Sequence, residues 1–185
     1  MMEQVHRTIL SNLDFDGQGK LLEVGCGSGA MSVRAALTWP NAQITGLDYW
    51  GAMYNYSKAV CEKNAESEGV GSRCTFVHGD ANKLDFPDES FDAVISNYVY
   101  HNIMGANKQD LLLESLRVLK KGGVFLLHDN MKPAMYGDMN AFAEKLCGMG
   151  FSDVRYVETA EPIFGSKKRA AAMMLGDSAM IVGKK

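Results

Sequence analysis

The sequence predicts an α/β fold with a doubly wound, mostly parallel seven-stranded sheet, and three observations predict it. Short apolar runs alternate with segments of helical periodicity along the whole chain, and strands separated by helices of about 10 to 15 residues mark βαβ units with helices on both sheet faces. The first clear run, residues 20–25 (KLLEVG), is short and mostly apolar, as a strand buried in a parallel sheet is. It breaks directly into glycines, Gly25-Cys26-Gly27-Ser28-Gly29, the tight turn found where such sheets open a ligand site. At 185 residues the chain suits one domain, 1–185, with a short N-terminal helix over 1–13 and a core over 20–185.

Each element has its own warrant. Val5, Ile9, Leu10 and Leu13 fall at helical spacing and predict a helix that ends before residues 14–19. After the glycine turn a helix fits residues 30–39, stopped by Pro40, whose nitrogen has no hydrogen to donate. Residues 42–48 (AQITGLD) form the next strand, and Met53, Tyr56 and Val60 carry the helix after it. Strands fit residues 73–78, 91–97 and 122–128, and Leu112, Leu116 and Leu119 share one helical face before the last of these. Met139, Phe142, Leu146 and Met149 define a further helix, and strands over 151–157 and 179–182 complete the sheet. Repeats, low-complexity tracts and linkers are not found.

Composition narrows the function classes. Apolar residues at 46% and charged residues at 22% are ordinary for a soluble globular chain. A formal charge of −3 provides no basic field for phosphates, so nucleic acid is not an expected partner. Cys26, Cys61, Cys74 and Cys147 lie far apart without paired metal-ligand spacing, so no metal is expected and the thiols read as reduced, in a cytoplasmic protein. No apolar run approaches the roughly 18 residues of a membrane span, and no signal-peptide pattern opens the chain. A small-molecule partner is the expectation; oligomeric state has no signature.

The glycine turn lets backbone and helix N-terminus approach a ligand closely. By itself it leaves a dinucleotide open, since Gly25, Gly27 and Ala30 also satisfy the GxGxxG/A pattern of dehydrogenases. Glu23 points elsewhere: a carboxylate inside the turn repels a pyrophosphate and suits a ligand with an ammonium group. Asp48, ending the second strand, can accept both hydroxyls of a ribose. Asp80, ending the third, can accept the exocyclic amine of an adenine.

The runs LLEVGCGSG, GLD, HGDANKLDFPDESFDAVISNYVYHNI and LRVLKKGGVFLLHD resemble, in order, the motifs of class I S-adenosylmethionine-dependent methyltransferases. The closest resemblance is to the methyltransferase-11 group, which includes ubiquinone and menaquinone biosynthesis enzymes. It covers about residues 20–130, and the tail (GFSDVRYVE, then SAMIVGKK) resembles the family's final antiparallel strand pair. The resemblance implies a Rossmann-like methyltransferase fold, S-adenosylmethionine as cofactor, S-adenosylhomocysteine as product, and a small-molecule methyl acceptor. By similarity, Gly25, Gly27 and Gly29 line the methionine part; Glu23, from its charge, would face the ammonium there, and Cys26 reads as a turn residue among them. Asp48 would meet the ribose, Tyr49 and Asp80 with Ala81 the adenine, and Asn97 would stand near the methionine end.

Methyl transfer draws most of its acceleration from orientation and needs a base only where the acceptor carries a proton. Candidates lie past the fourth strand, where residues 97–102 emerge on the ligand side: His101 as base, since histidine is the side chain suited to proton transfer near neutral pH, and Tyr98 as an orienting hydroxyl or wall. A histidine that merely hydrogen-bonds the loop is the competing reading. Tyr100 reads as a wall, and His128 and Asp129 are secondary candidates. Relatives usually place several helices ahead of the first strand, whereas here about nineteen residues precede Lys20. The acceptor side is then open, or covered by residues 130–140 and 160–177, or the chain is part of a longer protein. The basic stretch Lys167, Lys168 and Arg169 would meet an anionic acceptor or belong to a mobile connection. Two other functions stay open: an NAD(P)-dependent oxidoreductase, and a non-catalytic S-adenosylmethionine-binding subunit. Which acceptor atom is methylated is not specified.

Overall fold

In a computed structural model of the chain, the structure describes residues 2–51 and 56–185. Seven strands form one sheet in the order β3-β2-β1-β4-β5-β7-β6: β1 Gly19–Val24, β2 Ala42–Asp48, β3 Cys74–His78, β4 Phe91–Asn97, β5 Leu119–Asn130, β6 Ser152–Glu158 and β7 Ser178–Lys184. Strands β1 to β5 pair in parallel, while β7 lies antiparallel between β5 and β6. The winding reverses between β1 and β4, and that switch point is where the strand ends open a crevice.

Alternation along the strands assigns the two faces. Leu21, Ile44, Phe76 and Ile95 face a core closed by helices α1 (Met2–Asn12), α2 (Ala30–Thr38) and α3 (Lys58–Ser67), with α7 (Ala160–Phe164) and α8 (Lys167–Ala172) at its far end. Leu22, Leu47, Val94, Phe125 and Leu127 face the opposite core, closed by α4 (Lys108–Arg117), α5 (Pro133–Tyr136) and α6 (Met139–Gly148). Glu23 shares its face with Leu21, which aims it at α2.

Several boundaries differ from the sequence expectation. Helix α3 starts at Lys58, capped by the Ser57 hydroxyl accepting from Val60 N; Tyr56 precedes it, and Met53 lies outside the described residues. Leu119 does not belong to the preceding helix. It opens β5 opposite Phe91, because Gly122 (φ 78°) and the register shift at residues 91–93 let the strand begin before the glycines. Met149 is the exposed C-cap of α6 rather than a face residue. The basic stretch is a short helix, α8, begun by the Ser166 hydroxyl and held by a 2.5 Å ion pair from Lys167 to Glu158.

Candidate functional site

A cavity of about 1100 Å³ opens at the carboxyl ends of β1, β2, β3 and β4. The glycine turn is its floor. Gly25 and Cys26 amides donate to Leu47 O at 2.7 and 3.0 Å, and Gly25, Gly27 and Gly29 all take left-handed φ of 75°, 55° and 77°. A Cβ on Gly25 would stand 2.1 Å from the Val99 side chain, whereas one on Gly27 would meet, among the described residues, nothing nearer than Tyr56 at 3.7 Å. Neighbouring elements hold the turn's carbonyls: Gly27 O accepts from Trp50 Nε1 (2.9 Å) and Cys61 Sγ (3.2 Å), and Ser28 O from Asn64 Nδ2 (3.0 Å).

Three carboxylates line this cavity. Asp48 Oδ2 accepts from Gly27 N (2.8 Å) and Oδ1 from Trp50 N (2.7 Å), which fixes the group and leaves acceptor capacity on both oxygens. Glu23 is 3% exposed and accepts from the Ser32 hydroxyl and the Ser32 backbone N–H in the first turn of α2. Burial, with the Asp48 charge adding to it, pushes Glu23 up to about 7, against the lowering effect of Ser32. Asp80 lies two residues past β3 rather than on it, and its Oδ1 accepts from the backbone and side-chain nitrogens of Asn82 at 2.8 and 2.7 Å. Ala81 is buried beside it, and Tyr49 is exposed at the rim, its ring 5.2 Å from that of His78. Cys26 is buried, and the neighbouring Cys61 together with burial raises its thiol above the usual range, which disfavours the thiolate that a nucleophile needs.

The opposite end of the cavity is built from residues 97–104 and from α1, which contributes Met2 and His6. Tyr98 has a φ of 55°, a strained value for an aromatic residue, and its amide donates to His128 O at 3.0 Å. Its hydroxyl bonds Ser178 Oγ at 2.8 Å, and burial first, then Asp129, keeps it a phenol, pushed up to about 12. The ring serves as a wall, 4.7 Å from His128 and 6.3 Å from His101.

His101 turns Nδ1 to Asp129 Oδ1 at 2.5 Å, and its amide donates to Oδ2 of the same carboxylate at 3.2 Å. Asp129 is fully buried, and the ring is 27% exposed toward the cavity. Its neighbour His128 does a different job. It is buried between Asn97 Oδ1 on Nδ1 and Thr159 Oγ1 on Nε2, both at 2.8 Å, and burial pushes it down to about 4, so the ring is neutral and fixes Asn97. Tyr100, at 0% exposure, bonds Ser115 at 2.9 Å and lies under the loop rather than in the wall.

The cavity therefore brings together all ten residues expected around a cofactor except Gly29, which is set behind the floor against Phe76 and Cys61, and it includes His101 and Tyr98. Neither residues 130–140 nor 160–177 are among the described residues lining it. The segment 160–177 borders a separate cavity of about 370 Å³ with Gln4 and Arg169, so its basic residues do not meet the main site. The wall expected from those segments comes instead from α1. His6 escaped the sequence reading; its one signal is position, a polar residue beside Val5 at the edge of the apolar stripe. The pairing of Asp129 with His101 was also missed, since 28 residues separate them and only the adjacency of β4 and β5 joins them.

The family model for the "Methyltransferase domain" matches residues 22–127, more than half the chain. The chain belongs to this methyltransferase family. Among curated relatives, a fatty-acid O-methyltransferase of Mycolicibacterium smegmatis is 35% identical over 68% of this chain and 42% of that protein. A ubiquinone/menaquinone biosynthesis C-methyltransferase of Desulfotalea psychrophila is 31% identical over 69% of this chain and 48% of that protein. A sterol 24-C-methyltransferase of Gibberella zeae is 33% identical over 63% and 29%; the match thus spans less than half of each of these relatives. Among solved structures, the [4+2]-cyclase SpnF superposes with a TM-score of 0.74 at 20% identity, over 99% of this chain and 81% of that one. A phosphoethanolamine N-methyltransferase of Haemonchus contortus with S-adenosylmethionine gives 0.72 at 18%, over 98% and 52%. These two likenesses concern the fold, a Rossmann-like methyltransferase fold with a final antiparallel strand.

Proposed function

We propose that this methyltransferase-family domain transfers the methyl group of S-adenosylmethionine to a small-molecule acceptor. The observation that carries the reading is the row of three carboxylates on one cavity, Glu23, Asp48 and Asp80 at the ends of successive strands around the glycine turn. The residues present fit the cofactor. Gly27 leaves room for a ligand, Tyr56 at 3.7 Å being the nearest described neighbour of a side chain placed there, Asp48 offers two fixed oxygens to a vicinal diol, and buried Glu23, poised near 7, gains from a neighbouring ammonium. Asp80 with Ala81 and Tyr49 would take the adenine, and Gly25, Cys26, Gly29 and Asn97 would shape the methionine end.

When bound, S-adenosylmethionine supplies an electrophilic methyl on a sulfonium. The chain's own part is to orient: Tyr98 and Asn97 wall the acceptor end, and His101 stands there as the base. Family membership removes the ground for an NAD(P) enzyme, and relatives named for fatty-acid, sterol and ubiquinone/menaquinone-biosynthesis methylation illustrate the small-molecule class. The four free thiols fit a cytoplasmic setting; among the described residues no helix is long and apolar enough to cross a membrane. Calorimetric titration tests the reading: S-adenosylhomocysteine should bind and raise the melting temperature while NADH does neither. A saturating dose of S-adenosylhomocysteine without any rise would refute it, and binding without methyl transfer to any acceptor would point to a subunit role.

A further inference from the structure

The His101–Asp129 pair carries more than a base assignment. An ionised carboxylate only accepts hydrogen bonds, so the 2.5 Å contact requires the hydrogen to sit on Nδ1. The lone pair is then on Nε2, at the edge of the ring left open to the cavity. The carboxylate is held rigidly: Oδ1 also accepts from Asn130 N at 2.7 Å, and Oδ2 from the His101 amide. Among the described residues, the rings and hydroxyls packed around it carry no charge to compete. Tyr98 and Tyr100 are phenols pushed up to about 12 by burial, with Asp129 contributing. The Tyr136 hydroxyl, buried without a hydrogen-bond partner among the described residues, is pushed higher still by burial, with the Asp129 charge adding to it. His128 is neutral, and His6 faces the same cavity from α1, lowered by burial and by Arg34.

Resting on the methyltransferase reading above, we infer that Asp129 is a positioning residue fixing His101 as a proton acceptor, and that the acceptor taken here is a neutral molecule bearing a weakly acidic O–H or N–H. Anionic carboxylates, tertiary amines and thioethers have no proton to surrender, and a buried carboxylate behind the ring gives them nothing. In the step, the acceptor's electron pair forms the bond to the methyl carbon, the former carbon–sulfur pair stays on sulfur, and the acceptor's proton passes to Nε2. The imidazolium so formed faces Asp129, which stabilises it without itself being protonated.

The test uses para-nitrophenol, whose anion absorbs visibly, added to the full chain saturated with S-adenosylhomocysteine and buffered below the phenol's own ionisation midpoint. Bound phenol should appear as nitrophenolate in the wild type. His101→Gln should abolish that band, and Asp129→Asn should cut it about tenfold, since the imidazolium loses its charge-assisted hydrogen bond. Failure of the wild type to bind the phenol, or binding without ionisation, overturns the acceptor class. A full band in Asp129→Asn overturns the positioning role and leaves Asp129 a structural cap. Should Asp129→Asn not fold, wild type and His101→Gln still decide whether the proton reaches this ring. Failure of S-adenosylhomocysteine itself to bind is a separate outcome, which sinks the methyltransferase reading and this inference with it.

Discussion

Replacing Glu23 with glutamine removes a charge while keeping the side chain's shape and an oxygen for Ser32, and two consequences of opposite sign should follow. In the ligand-free protein the carboxyl is pushed from its ordinary 4.5 to about 7, chiefly by burial. A carboxyl raised in the folded state is kept protonated there while the unfolded chain ionises. Its contribution to stability therefore falls as pH rises from about 4.5 and levels off above about 7. At about 1.4 kcal/mol per unit, the full cost is on the order of 3 kcal/mol. Glu23→Gln should accordingly raise the melting temperature at about pH 8 and change it little at about pH 4.5. Binding should move the other way. If the carboxylate meets the cofactor's ammonium, the variant loses about 1 to 3 kcal/mol, roughly five- to hundredfold in Kd for S-adenosylhomocysteine. Adenosine, without the ammonium, should bind both forms alike. Wild-type affinity for S-adenosylhomocysteine should also climb with pH up to about 7 as Glu23 ionises, and the variant's should not. Thermal scans across pH and calorimetry with both ligands supply the measurements. A variant that loses stability at high pH, or loses both ligands equally, would show Glu23 to be only the outside cap of α2.

Three further outcomes are expected. Asp48→Ala should weaken S-adenosylhomocysteine by at least tenfold, since it removes charge-assisted contacts worth about 1.5 to 3 kcal/mol each and frees the Gly27 and Trp50 amides; unchanged calorimetric affinity in a folded variant removes Asp48 from the site. His128→Gln should flatten the acid side of the stability curve. The wild-type ring, lowered to about 4, refuses the proton that the unfolded ring takes as pH falls below about 6.5, and thermal scans over that window will show whether the slope belongs to it. Gly27→Ala should cost about 1 to 2 kcal/mol of backbone strain in stability, yet weaken cofactor binding severely because the new methyl projects into the cavity. Comparison with Gly25→Ala, where Val99 blocks the methyl and chemical denaturation should show a larger stability loss, separates the two effects.

Much of the fold was legible because local pattern and topology agree. Leu21 and Leu22 face opposite cores, as a strand in a doubly wound sheet must, and Gly25 to Gly29 could bind only where the strand ended. Asp48 and Asp80 were visible through their position after apolar runs. Leu119 was misplaced because it continues the helical spacing of Leu112 and Leu116; only pairing with Phe91, a contact absent from local sequence, moves it into β5. His128 and His101 look alike in sequence. Their difference arises from what surrounds them, Asn97 and Thr159 on one ring, a carboxylate and open space on the other. His6 and the wall formed by α1 could not be read, because the packing of that helix depends on long-range contacts, including the pairing of Arg34 with Glu3 at 3.6 Å.

The clasp on the glycine turn has a consequence for the thermodynamics of recognition. Trp50, Cys61 and Asn64 grip the carbonyls of Gly27 and Ser28 from outside, and Asp48 grips the Gly27 amide, so the most flexible residues of the crevice are ordered before any ligand arrives. A visiting molecule is spared the entropy of freezing a glycine-rich loop. Asn64 lies on α3, outside the lining, and still bears on affinity: loosening its hold would weaken binding through an entropic penalty, with the contacts in the crevice unchanged.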